Sequence, residues 1–481
     1  MAVTAGSAKA PHVRFGVAAS LSLRALSCAA LIALGACRSP GIAPTPIAAD
    51  SLTLRQDVAY LASDALEGRG TGTSGNYAAA GYIRERYRAL KLEPVATLDA
   101  VSCRIGKDSA DALRRSVESR VGTGERVTPN AEPCAKDFFQ KFTPSSQLLA
   151  HSAMLRFLGA QNVVALLPGT DSVLRKEYVV IGAHFDHLGR LTFGALDPDA
   201  GDAIRNGADD NASGTAAVLE LARLLSRRPL KRSVIFAAFS GEELGLLGSQ
   251  FFVEHSPVAV GRIVAMLNFD MVGRLRDDKL IVYGTETAKE LSAILDSANI
   301  APTLKVRAVP GGSGPSDHSS FYSKNIPVLH FFTDLHEDYH RATDDTEHIN
   351  AAGMARVVEF AERVARGIGN RTSRLTIVQR TAPPAVARAA SGSRPYLGTV
   401  PDMSTVDAGG LRLSGVTPGS PGDRAGMRAG DVIVELDGKS VTDLETYAQA
   451  LYARKMGDSI VIVVLRGGER VKVNAVLGRR E

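Results

Sequence analysis

The feature that most limits what this chain folds into is a series of short, mostly apolar runs separated by stretches of helical period. Asn162 to Leu167, Tyr178 to Ala183, Ser233 to Phe239, Ile263 to Phe269, Leu280 to Tyr283 and Pro327 to Phe332 lack polar–apolar alternation, which predicts strands buried on both faces. Between two of them, Gly214 to Ser226 places Ala216, Ala217, Leu219, Leu221, Leu224 and Leu225 on one stripe, the mark of a helix lying on a core. Tyr77 to Leu92, with Tyr82, Ile83, Tyr87 and Leu90 at helical spacing, and Ala351 to Ile368 read the same way. Strands alternating with helices specify an α/β domain with a largely parallel sheet.

The 481 residues are 45% hydrophobic and 22% charged, which excludes a wholly disordered chain, a collagen repeat and a polytopic membrane protein. Lys and Arg (56) exceed Asp and Glu (51) by five, but three of the five, Lys9, Arg14 and Arg24, lie in an acid-free N-terminal stretch. The remaining excess of two gives no clustered basic face, so nucleic acid is not an expected partner. That stretch runs into the apolar segment Ala25 to Ala36 and then Leu34-Gly35-Ala36-Cys37, too short for a membrane span. It reads as an export signal over residues 1–36 and resembles a bacterial lipobox. The resemblance implies lipidation of Cys37, a tether over 37–50, and a lipoprotein anchored to the membrane of the cell envelope or facing the periplasm.

Beyond Cys28 and Cys37 only Cys103 and Cys134 remain, and a pair in an exported chain suggests a disulfide. It would staple a polar, charge-rich insert at about 95–140. The other reading is two free thiols. Residues 371–394, with Pro383, Pro384 and Ser-Gly-Ser, form an expected linker. Residues 395–481 are Gly-rich and strand-rich and make a second, smaller domain.

Among residues of metal-ligand type five places stand out, most just after a predicted strand: His184-Phe185-Asp186, Asp209-Asp210-Asn211, Glu242-Glu243, Asp270 and His340. In open α/β sheets ligands gather at the carboxyl ends of strands. His184 closes one strand, and Asp186 is placed to hold its imidazole in one tautomer. Asp209 precedes a helix, where a carboxylate either bridges cations or caps the helix. Glu242 and Glu243 can divide ligation from proton transfer, or be two solvated acids. An acid such as Asp270 after so apolar a strand is costly to bury unless paired or bound to metal.

Residues 51–370 resemble the family M28 zinc peptidases. The resemblance rests on Leu61-Ala-Ser-Asp-Ala-Leu-Glu-Gly-Arg-Gly-Thr-Gly, Gly182-Ala-His-Phe-Asp-His, Asn206-Gly-Ala-Asp-Asp-Asn-Ala-Ser-Gly, Ser240-Gly-Glu-Glu and Asn268-Phe-Asp-Met in the family's order. It implies a three-layer α/β/α sandwich with a mixed, mostly parallel sheet and two Zn2+ per chain. One ion would be held by His184, Asp209 and Asp270, the other by Asp209, Glu243 and His340, with Asp209 bridging, a cis peptide at Asp209–Asp210, and Glu242 as general base. Zinc suits such imidazole and carboxylate donors, although Mn or Co would also fit. His340 is preferred as ligand because it precedes Arg-Ala-Thr-Asp-Asp-Thr. Asp317-His318 resembles a supporting element, His336 and His348 read as surface residues, and Tyr339 is a candidate to help an oxyanion.

Tyr396-Leu-Gly-Thr-Val, Gly415-Val-Thr-Pro-Gly-Ser-Pro-Gly-Asp-Arg-Ala-Gly-Met and Ala429-Gly-Asp-Val-Ile-Val-Glu-Leu-Asp-Gly-Lys resemble a bacterial PDZ domain. That implies capture of C-terminal peptides by strand addition, with Tyr396, Leu397 and Gly398 as the carboxylate loop and Asp443 to Ala453 as the groove helix. The combined expectation is an exported metallo-exopeptidase, foremost an aminopeptidase acting on peptides. A carboxypeptidase or glutaminyl cyclase on the same scaffold, and a PDZ-centred binding protein with a degenerate peptidase domain, are the other readings.

Overall fold

The computed structural model describes residues 48–95, 137–143, 159–191, 194–378, 395–401, 409–442 and 444–478. Cys37, Cys103 and Cys134, the expected signal, most of the tether and insert, and residues 379–394 of the expected 371–394 linker lie outside the described residues. The first part of that linker, 371–378, instead packs on the first domain, with Leu375 in the core and Thr376 N donating to Glu290.

The apolar runs fold as strands, and the segments around them add short edge pieces. In chain order these are β1 (Glu93–Pro94), β2 (Phe139–Phe142), β3 (Ala160–Leu167), β4 (Tyr178–His184), β5 (Ser233–Phe239), β6 (Ile263–Phe269), β7 (Lys279–Tyr283), β8 (Lys305–Val309) and β9 (Val328–Phe332). They form one sheet in the order β1-β3-β5-β4-β6-β9-β7-β8, with β2 on β3. The central pairs β5–β4, β4–β6 and β6–β9 are parallel, whereas β3 meets β5 and β7 meets β9 antiparallel.

Both faces of the central strands are covered, which is why their sequences lack alternation. Val179, Ile181 and Ala183 of β4 pack with the helices Gly214–Arg227 and Ala351–Gly369, through residues such as Leu221, Leu225, Val357 and Val358. Val180, one residue out of step, faces the other way onto Phe252 of the helix Leu247–Glu254 and Phe321. The result is the three-layer sandwich. Each fully buried leucine of the Gly214–Arg227 stripe contributes about 1.5–3 kcal/mol, and Asn211 Oδ1 starts that helix by accepting from Gly214 N at 2.9 Å. Because β5, β4, β6 and β9 run parallel, their carboxyl ends share one edge of the sheet.

The second sheet contains β10 (Thr399–Pro401), β11 (Leu411–Val416), β12 (Val432–Leu436), β13 (Lys439–Ser440), β14 (Ser459–Arg466) and β15 (Glu469–Val476). All its pairings are antiparallel, and β10 lies at an edge. It has its own core, with Leu397, Ile433, Leu436, Ile460, Ile462, Val464 and, from the helix Leu444–Tyr452, Tyr447. Among the described residues no helix is long and apolar enough to cross a membrane.

Candidate metal centre

The shared edge of the central strands collects imidazoles and carboxylates. His184 is the last residue of β4, and its Nδ1 faces the Asp186 carbonyl at 3.2 Å. A carbonyl only accepts, so Nδ1 carries a proton, and Nε2 is the nitrogen that offers a lone pair once the ring is neutral. That Nε2 lies 3.4 Å from both Asp210 Oδ1 and Asp270 Oδ1. The other Asp210 oxygen, Oδ2, lies 3.1 Å from His340 Nε2, which is also 3.3 Å from Glu243 Oε2. His340 Nδ1 faces the Gly194 carbonyl at 2.8 Å, so its Nε2 is likewise the nitrogen that offers a lone pair. One carboxylate, that of Asp210, therefore stands between two His–acid pairs.

This overturns the expectation that Asp209 bridges. Asp209 Oδ1 instead accepts from Gly273 N at 2.6 Å and Ser213 Oγ at 2.9 Å, and its Oδ2 lies 3.2 Å from His336 Nε2. His336, expected at the surface, has a side chain only 3% exposed. The cis peptide also falls one residue later than expected, at Asp210–Asn211. Asp210 and Asn211 leave the helical region, at φ −105° and −138°, just ahead of the helix Gly214–Arg227, and this turns the two neighbouring carboxylates apart. Asp344 Oδ2 holds the segment by accepting from both Asp209 N and Asp210 N at 3.0 Å. Gly207, at φ +58°, has no room for a side chain, since a Cβ would lie 2.0 Å from the Asp210 carbonyl oxygen.

Glu242 and Glu243 follow β5. Glu243 turns inward, with His187 Nδ1 on Oε1 at 2.8 Å and His340 on Oε2. Burial disfavours the Glu243 charge, but His340 and His187 outweigh it and hold this carboxyl well below the usual range. Glu242 is half-buried, and burial beside Glu243 and Asp270 pushes its carboxyl well up despite His184. Adjacent residues are thus driven apart, one toward a permanent anion and one toward a proton carrier. Asp270 is also buried against its charge, yet His184 and Ser316 pull it down to about 2. Ser316 Oγ donates to Asp270 Oδ2 at 2.7 Å.

Asp186 lies 3.8 Å from the His184 ring, so the backbone carbonyl fixes that tautomer more directly than the carboxylate does. Its carboxylate accepts from Thr71 Oγ1 at 2.7 Å and Glu242 N at 3.2 Å, tying the loop before the helix Ser74–Ala89 to the loop that bears Glu242. The Tyr339 ring stacks on His340 with centroids 3.9 Å apart, and burial near Asp210 and Glu243 keeps its hydroxyl protonated. His318 is buried and stacks on His330 at 4.4 Å, while His348 is exposed.

Sequence reasoning named Asp210 only beside Asp209, without the bridging role, and gave no role to His187 or Arg69. Arg69 is fully buried and donates to the carbonyls of Leu61, Phe185, Asn206 and Gly207, clamping the loops that carry His184 and Asp210. Its only sequence signal is its place in the Leu61 to Gly72 motif.

The donor set fits cations. Groups within 4.8 Å of one another form around His184, Asp210 and Asp270 and around Asp210, Glu243 and His187. At the second group His340 Nε2 is more evenly placed, since His187 Nδ1 lies 3.8 Å from Asp210 Oδ2. Asp210, Glu243 and the half-buried Asp270 crowd three carboxylates against two imidazoles, an arrangement that is costly unless protons or cations neutralise it.

In the second domain Leu397 is buried and Gly398 takes φ +85°, where a Cβ would lie 2.1 Å from the Ser420 Cβ. Tyr396 pairs with Gly478, and Tyr447 reaches across from its helix to Thr399 of β10 at 2.6 Å.

Residues 162–365 match the family described as Peptidase family M28, and residues 412–466 match the PDZ domain. Similar curated proteins include Aminopeptidase YwaD of Bacillus subtilis, 28% identical over 202 residues, which are 40% of this chain and 41% of that protein. Leupeptin-inactivating enzyme 1 of Streptomyces exfoliatus is 33% identical over 175 residues, 36% of this chain and 35% of that protein. Leucine aminopeptidase 2 of Trichophyton rubrum is 30% identical over 181 residues, covering 36% and 33%. The chain thus spans less than half the length of these relatives. Among solved structures, the LapA aminopeptidase of Legionella pneumophila aligns with TM-score 0.45 and 19% identity over 67% of this chain and 73% of that one. The zinc aminopeptidase BSAP of Bacillus subtilis aligns with TM-score 0.38 and 24% identity over 47% and 54%.

Proposed function

The chain carries an M28 peptidase domain followed by a PDZ domain, and from that premise we propose that it is an exported two-zinc exopeptidase, an aminopeptidase that removes N-terminal residues from peptides. The observation that carries the reading is the Asp210 carboxylate, set between His184 with Asp270 and His340 with Glu243, with Glu242 near enough to His184 to act on its charge. His184, Asp270 and Asp210 would hold one zinc, and His340, Glu243 and Asp210 the other. When bound, such ions supply Lewis acidity that polarises a scissile carbonyl and makes a water acidic at neutral pH.

The chain's own residues do the rest. Glu242, raised toward neutrality, takes the proton of the attacking water and returns it to the leaving amine. Tyr339 keeps its proton and can donate to the oxygen that gains charge. The preference for amino ends rests on the relatives named aminopeptidases.

Metal content combined with a panel of free-amine and N-blocked chromogenic peptides tests this. Two ions per chain with chelator-sensitive cleavage of free-amine substrates alone is the expected result. Cleavage from carboxyl ends, or cyclisation of N-terminal glutamine, would replace the aminopeptidase reading.

The remaining parts of the reading are export with lipidation at Cys37 and peptide capture by the PDZ domain. The edge position of β10 beside the helix Leu444–Tyr452 supports strand addition there. A Cys37→Ser chain released from the membrane fraction would support the anchor. Equal binding of C-terminally free and amidated peptides would remove the carboxylate-loop role of Tyr396, Leu397 and Gly398.

A further inference from the structure

His187 touches Glu243 and Asp210 of the centre, yet neither the expected ligand set nor the general base accounts for it. It is 1% exposed, and Gly207 lets its ring approach, since a Cβ there would lie 2.4 Å from His187 Cγ. Its Nδ1 lies 2.8 Å from Glu243 Oε1 and 3.8 Å from Asp210 Oδ2, and its Nε2 is buried with no hydrogen-bond partner. An ionised carboxylate only accepts, so His187 Nδ1 is the donor. Glu243 is thereby held at two points on opposite oxygens, His187 on Oε1 and His340 Nε2 3.3 Å from Oε2. The rings of His187 and His340 meet edge to face at 5.7 Å, so the carboxylate sits in a slot with one imidazole for each oxygen.

We propose that His187 is a positioning residue of the metal centre, whose Nδ1–H fixes the Glu243 carboxylate so that Oε2 faces His340 and Asp210 and the ion held there binds tightly. A glutamate has three side-chain torsions, and the carboxylate must otherwise lose that freedom when the ion arrives. A hydrogen bond made beforehand removes the cost and keeps Oε1 from competing as a ligand. His187 reaches Glu243 and Asp210 but neither His184 nor Asp270, the other two residues that would hold the first ion, so that ion's affinity should depend far less on His187. The inference rests on the two-ion reading above.

The test is metal titration of the full mature chain by calorimetry and chelator competition, for wild type, His187→Ala, His187→Asn and His187→Gln. Asparagine places an N–H where Nδ1 stands, and glutamine places one nearer Nε2. We expect His187→Ala and His187→Gln to weaken one of the two ions by about 10- to 100-fold, the usual consequence of losing an outer partner of a metal ligand. The other ion changes far less, and His187→Asn restores the lost affinity. Should His187→Ala fail to fold, the contrast between asparagine and glutamine carries the test alone. Equal affinities in those two variants would overturn the proposal. So would loss of an ion in His187→Asn with its retention in His340→Ala, which would make His187 itself the ligand. A wild-type chain that takes up a single ion or none would instead bring down the two-ion reading, a different result from two ions indifferent to residue 187.

Discussion

Asp209 and Asp210 are neighbours in sequence and point their carboxylates into different jobs: Asp210 lies between His184 and His340, while Asp209 accepts from Gly273 N and Ser213 Oγ. Asp210→Ala should therefore abolish hydrolysis and weaken both ions, because the one side chain serves both. Asp209→Asn should keep two ions per chain but lower stability by about 1–3 kcal/mol, the cost of disturbing a buried, charge-assisted hydrogen-bond cluster. Metal analysis with thermal melts separates the two, and the reverse pattern would return the bridge to Asp209.

Glu242→Gln removes the proton carrier and leaves the neighbouring Glu243 in place. Turnover should fall by about 10²- to 10⁴-fold, with metal content unchanged. Near-normal turnover would mean another group takes the proton.

Metal uptake should release protons. Burial opposes the charged forms of His184 and His340, but Asp270 and Glu242 around the first, and Glu243 and Asp210 around the second, raise both well above the ordinary value of 6.5. Ligation needs the neutral ring, so affinity should rise with pH above that value and fall below it. Calorimetry at neutral pH in buffers of different ionisation enthalpy reads the released protons directly. In chelator the sign reverses for stability. A raised imidazole pKa stabilises the fold fully below 6.5, and that share is lost as pH climbs through the folded values. Chelated protein should therefore melt lower as the pH is raised, and a melting point that instead rises over that range would contradict the assignment.

Arg69→Met leaves the carbonyls of Leu61, Phe185, Asn206 and Gly207 without their shared donor. Burial already drags the guanidinium down to about 10, so the site tolerates its charge only through these contacts and the surrounding acids. The substitution should cost on the order of 3 kcal/mol and loosen both metal-bearing loops, seen as a lower melting point with weaker metal retention. Unchanged melting would show that the clamp is dispensable.

The sequence by itself determined the layers of the peptidase domain. Strands covered on both faces have to be apolar over most of their length, so β4, β5, β6 and β9 were legible as runs without alternation, and the helix Gly214–Arg227 as a stripe. His184, Glu242, Glu243 and Asp270 stood out because predicted strands deliver their ends to one edge, and His340 because the sequence after it resembles the family's motif. Period and composition say which residues reach that edge, but not which way each side chain turns once the strand has ended. That choice belonged to the tertiary structure. Between Gly207 and Gly214 the backbone leaves regular geometry, and contacts from Asp344, Gly273 and Phe269, all distant in sequence, decide that Asp210 faces the imidazoles and Asp209 faces away. His187 and His336 were hidden for the same reason. A lone histidine looks alike in sequence at the surface and in the core, and only the packing of loops brought one against Glu243 and the other against Asp209.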